Sequence, residues 1–170
     1  MLLEVCVESV RMSLMSPHRV VVLKEVDEER YLPIWIGPYE ADAIAIELQG
    51  VETPRPLSHD LLKQAILALG GRVSHVVVRA LRDDTFYASV VLDQGGQELE
   101  LDARPSDSIA LAVRTKAKIF VDSAVMAQAG ITKEEDVREQ RQRLRDTEGL
   151  EVFREFLEEL NLDTEEEEEE

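Results

Sequence analysis

The chain has 170 residues, 44% hydrophobic but only 5% aromatic, and a formal charge of −17. That length suits one domain of ordinary size with an appendage, and the apolar content excludes a wholly disordered chain while requiring a core of Val, Ile, Leu and Ala. The single cysteine, Cys6, excludes an internal disulfide, and no apolar stretch approaches the ~20 residues that cross a bilayer.

The first residues, with Glu4 and Glu8 between the apolar ones, lack the basic and unbroken apolar regions of a signal peptide, so a cytoplasmic location and no membrane partner are expected. Residues 1–130 carry 13 Lys and Arg against 19 Asp and Glu, a net −6, whereas residues 131–170 carry 6 against 17, a net −11. Most of the acidity therefore sits in the tail. A domain at −6 still repels nucleic acid at long range, so binding a polyanion would need a local basic cluster.

In chain order, residues 3–10 alternate with a period of two and predict a half-buried strand, with Cys6 read as a small buried hydrophobe. After Ser16-Pro17 a second strand covers residues 19–26, and a polar connection at residues 27–30 returns as a third over residues 31–36. Pro33 suits an edge or a strand end because it has no N–H to donate. Trp35, between Ile34 and Ile36, reads as core or subunit-interface packing rather than a base-stacking platform. Gly37-Pro38 stops the strand, and residues 39–49 predict a helix with Ala41, Ile44, Ala45 and Leu48 inward. Pro54-Arg55-Pro56 is a stiff extended connector. Ser58 is the expected N-cap of a second helix, with Asp60 in its first turn and Gly70-Gly71 as its stop.

Strands over residues 72–81, 85–92 and 98–103 follow, joined by short turns, so they are expected to be antiparallel neighbours. A third helix over residues 105–115 turns Ile109, Ala110 and Val113 inward, and residues 119–121 make a last short strand. Hairpins with inserted helices predict an α+β fold with a mostly antiparallel sheet. Beyond Gly130 the expectation is a C-terminal helical appendage over residues 131–162. Thr132 with Glu135 caps one charged helix to Arg145, and Thr147 caps another with Leu150, Phe153, Leu157 and Leu160 on one face. Residues 163–170 form a disordered acidic tail.

Residues 42–46 (DAIAI) match residues 107–111 (DSIAL) at an offset of 65, each early in a predicted helix. The match is either coincidence between amphipathic helices or a duplication that makes Asp42 and Asp107 equivalent, so that two carboxylates converge.

Three segments, YLPIWIGPYEADAIA from Tyr31, PRPLSHDLL from Pro54 and DARPSDSIALAVR from Asp102, together and in this order resemble the bifunctional nuclease domain family, over nearly all of residues 1–130. The resemblance implies a compact α+β fold, a homo-oligomer and, for some relatives, nuclease action on both RNA and DNA. Some relatives also carry a C-terminal helical hairpin that the tail here does not match.

Phosphodiester hydrolysis needs an activated water, charge stabilisation at the phosphoryl oxygens and help for the leaving group. Inside the three segments, Glu40, His59 and Asp107 are the candidate catalytic residues, Glu40 and Asp107 the candidate ligands of a divalent ion such as Mg²⁺ or Mn²⁺, and Arg55, Arg104 and Arg114 the candidate nucleic-acid contacts. Each has a plainer reading. Ser106 or Asp107 can cap the third helix, Glu40 suits a helix dipole, His59 suits the surface, and Arg104 can simply pair with Asp102 or Asp107. His18 and His75 read as surface residues. The competing function is a non-catalytic oligomeric module for a small anionic ligand or a protein partner, or an adaptor working through residues 131–162.

Overall fold

A computed structural model gives the fold and describes residues 1–12 and 19–132. The helices expected after Thr132, the acidic run of residues 163–170 and His18 lie outside the described residues. The elements run β1 (Leu2–Met12), β2 (Arg19–Glu25), β3 (Arg30–Ile36), α1 (Pro38–Leu48), α2 (Ser58–Ala68), β4 (Gly71–Arg82), β5 (Thr85–Gln94), β6 (Gln97–Ala103), α3 (Pro105–Thr115), β7 (Lys118–Asp122), α4 (Ser123–Ala129) and β8 (Ile131–Thr132).

The strands form one sheet in the order β6-β5-β4-β7-β1-β2-β3-β8. β1–β2, β2–β3, β1–β7, β4–β5 and β5–β6 pair antiparallel, and β4–β7 pairs parallel. The chain is therefore α+β with a mostly antiparallel sheet, and the parallel pair is the seam between two antiparallel halves. Two tight turns fix the register of one half. Asp83 (φ 48°) with Asp84 (φ 58°), and Gly95 (φ 60°) with Gly96 (φ 84°), supply the paired left-handed residues that match the twist of a two-residue hairpin.

One face of the sheet supplies Val21, Leu23, Leu32, Ile34, Val76, Val78, Val90 and Val121 to the core. α3 lies on that core and also touches α1 and α2, so eight of its eleven residues are buried. Its register followed the expected amphipathic stripe, but Leu111 and Ala112 are buried as well because neighbouring helices cover what a surface helix would expose. Residues Met1–Ile131 pack as one unit.

Several side chains fall elsewhere than expected. Cys6 is exposed because it alternates with buried Val5, and Trp35 is 62% exposed because Ile34 and Ile36 take the inward positions on either side. The core reading of both fails on the period of two. Leu48, at the end of α1, is half exposed, while Ala43 is buried. α4 has no counterpart in the sequence reading; it is one short segment of seven residues, started by Asp122, whose Oδ1 accepts from Ala124 N at 2.9 Å.

Ile109→Ala, at a fully buried position of α3, should cost about 2–5 kcal/mol in urea unfolding, whereas Leu67→Ala on exposed α2 should cost under about 0.5 kcal/mol. Equal losses would contradict the placement of α3 at the centre of the core.

Candidate functional site

Three helix starts build the site. α1 begins after Gly37 with Pro38, α2 after Leu57 with Ser58, and α3 after Arg104 with Pro105. Proline suits a first helical position because its missing N–H would have had no partner there. The third residue of each helix is acidic: Glu40, Asp60 and Asp107. Carboxylates are favoured there by the positive end of the helix dipole. Neither Ser58 nor Ser106 nor Asp107 caps its helix, since the residues ahead of Ser58 and Pro105 take the cap positions. Aligning the prolines pairs Glu40 with Asp107 at an offset of 67 rather than Asp42 at 65. Two carboxylates do converge, and Glu40 is the partner of Asp107.

Arg104 joins them. Its Nε lies 2.7 Å from Asp107 Oδ2 and its Nη2 2.7 Å from Glu40 Oε1, whereas Asp102 receives nothing from it. Among the described residues Nη1 has no hydrogen-bond partner, and the side chain is 65% exposed. Gly37 makes room for this pairing: its φ is ordinary, but a Cβ there would collide with Glu40 Oε2.

From α2, His59 places Nε2 3.0 Å from Asp107 Oδ1, with only 12% of its side chain exposed. Burial pushes the Asp107 carboxyl up, but the hydrogen bonds from Arg104 and His59 outweigh it and hold the group below the usual carboxylate range. Asp107 is thus an ionised acceptor at neutral pH, and an acceptor-only carboxylate at 3.0 Å takes its hydrogen bond from His59 Nε2. The bonds to Asp107 and then Glu40 raise the Arg104 pKa. These residues line a cleft of about 440 Å³ together with Tyr39, Asp42, Ile46 and Ser58.

The other two candidate arginines stand apart from this cluster. Arg55 lines a separate concavity of about 340 Å³ with Asp60, Lys63 and Gln64. Arg114 is buried, and all three of its nitrogens are engaged: Nε with Asp60 Oδ1 at 2.7 Å, Nη1 with the Ala110 carbonyl at 2.9 Å and Nη2 with the Ala43 carbonyl at 2.8 Å. It presents no nitrogen to a phosphate. Asp60 and Gly37 are the residues the sequence reading undervalued. The signal for both was available in the recurrence of an acid three positions after each helix cap.

Glu40 and Asp107 do not fit the divalent ion expected of them. One oxygen of each already accepts from Arg104, so a cation shared between them would lie against a guanidinium. Among the described residues no group of three or more His, Cys, Asp or Glu side chains is arranged to hold a metal.

The profile of the bifunctional nuclease domain matches residues 21–134. The chain belongs to this family. It is 42% identical over 160 residues to an uncharacterised protein of Mycobacterium tuberculosis, covering 94% of this chain and 96% of that one. To Bifunctional nuclease 1 of Oryza sativa subsp. japonica it is 29% identical over 120 residues, 68% of this chain and 36% of the rice protein. To Bifunctional nuclease 1 of Arabidopsis thaliana it is 30% identical over 111 residues, 63% and 34% of the two chains. The chain thus spans about a third of the plant bifunctional nucleases. No helix among the described residues is long and apolar enough to cross a membrane.

The held-down carboxyls make stability depend on acid. For Asp60, burial pushes upward, but the Leu57 N–H and Arg114 outweigh it, so it too lies low. A carboxyl whose folded pKa is depressed contributes stability that is present above its unfolded value and lost as pH falls through the folded one. Wild-type urea stability should therefore fall more steeply between about pH 5 and pH 2 than that of Asp107→Asn, which has nothing to titrate. Parallel curves would contradict the pairing of Asp107 with His59 and Arg104.

Proposed function

We propose that this domain is a phosphodiester hydrolase acting on RNA and DNA at the cleft between the starts of α1, α2 and α3. The observation that carries the reading is the His59–Asp107 pair set beside Arg104, whose Nη1 has no partner among the described residues, in a member of the bifunctional nuclease domain family.

Asp107 fixes the His59 tautomer and stabilises the imidazolium that forms when Nδ1 takes a proton from the attacking water. The water oxygen bonds to phosphorus in line with the leaving oxygen, whose bond breaks and which takes up a proton from solvent, while the imidazolium later returns its proton to solvent. Arg104 Nη1 donates to a phosphoryl oxygen as negative charge gathers there. Glu40 holds the other arm of Arg104, so the guanidinium meets the phosphate already oriented. Arg55, exposed on the neighbouring concavity, adds a contact to a flanking phosphate. The exposed Leu61 and Leu62 of α2, with Leu69 just after its end, favour self-association of the domain as part of the same reading.

The competing reading, a binding module without turnover, is favoured by the pairing of both carboxylates, Glu40 and Asp107, with Arg104. The two separate on one assay, in which pure protein is incubated with labelled single-stranded RNA or DNA in buffer containing Mg²⁺. His59→Gln should lower kcat by about 100-fold or more while binding is kept, and Asp107→Ala should do the same. Undiminished cleavage by folded Asp107→Ala would sink the hydrolase reading.

A further inference from the structure

Outside the cleft, Arg114 is the most buried charged side chain among the described residues, and the proposed hydrolysis does not use it. Its surroundings show what it fixes. α2, all of whose residues are described, has no fully buried side chain. Its apolar hold is the partly buried Ile66, packed against the edge of the core. Three polar tethers run from it to α3 as well: His59 to Asp107, Asp60 to the Arg114 guanidinium, and Lys63 Nζ to the Arg114 carbonyl at 2.8 Å. Asp107 and Arg114 are seven residues apart, two turns along one face of α3.

Asp60 is the link between the buried arginine and the cleft. Its Oδ2 accepts from the backbone N–H of Leu57 at 2.8 Å while its Oδ1 accepts from Arg114, so one carboxylate ties the first turn of α2 to the interior. His59 is the residue immediately before it. The same guanidinium bonds the Ala43 carbonyl of α1, the helix that carries Glu40. One side chain thereby sets the spacing of all three helices whose starts make the cleft. A rigid planar fork with three engaged nitrogens can do this, and a lysine, with a single ammonium, can reach few of the same acceptors at once.

We propose that Arg114, acting through Asp60, is a positioning residue that holds the His59 imidazole on Asp107. The inference rests on the reading of His59 as the proton-transfer group, but its test does not need cleavage. In the ¹⁵N-labelled full chain, the His59 Nε2–H should give a slowly exchanging proton signal that Asp107→Ala abolishes. Arg114→Lys, shown to be folded by its amide spectrum, should speed that exchange by about tenfold or more, with the ring nitrogens moving toward a mixture of tautomers. Asp60→Asn is the gentler variant and should act in the same direction. A merely structural Arg114 would lower the unfolding midpoint and leave the signal of the folded population unchanged. Wild-type exchange in either folded variant would overturn the proposal. Should the signal be lost while cleavage persists, the positioning inference stands and His59 is removed from the chemistry.

Discussion

The pairing of Arg104 with two carboxylates from two helix starts is the interaction on which the cleft depends. Glu40 and Asp107 are each favoured by the dipole of their own helix, yet like charges brought together repel. A guanidinium between them removes the conflict, with both bonds at 2.7 Å. Because Arg104 is itself largely exposed, solvent screens part of that attraction. The pairing therefore orders the cleft more than it stabilises the fold, and it leaves Nη1 without a hydrogen-bond partner among the described residues.

Stability comes from elsewhere, and chiefly from α3. Sheet, α1 and α2 enclose it, so a helix whose first turn lines the cleft is anchored by a body that is almost wholly buried. Two arginines mark its ends in different ways. Arg104 precedes it at the surface, and Arg114 closes it in the interior, where the guanidinium binds Asp60 and two backbone carbonyls. Leaving such a group partly unpaired would be costly, which is why its acceptors are fixed in space and why α2 is fixed with them.

Much of this was legible in the sequence, for reasons that also explain what was not. Period-two runs and paired turn residues placed the hairpins, and the third helix was bounded by Pro105 and Thr115 as read. Glu40, His59, Arg104 and Asp107 come from three separate segments that the resemblance had already singled out, and the fold brings them to one cleft. Arg114 was misread because a basic residue in the last turn of an amphipathic helix normally points to water. Its burial is a consequence of tertiary enclosure that periodicity cannot encode. The internal echo was misaligned for a similar reason. Matching letters favoured Asp42, whereas helix position, set by Pro38 and Pro105, favours Glu40. Trp35 and Cys6 were judged by residue type when the alternation of their strands had already assigned them outward.

The central claim, that a phosphodiester is held where Arg104 meets His59, is tested most directly by a crystal structure with a short phosphorothioate oligonucleotide that resists cleavage. A phosphoryl oxygen should sit within hydrogen-bond distance of Arg104 Nη1, with the same phosphate against the His59 ring. Oligonucleotide bound along Arg55 and Lys63 alone, with the cleft between the three helix starts empty, would contradict it.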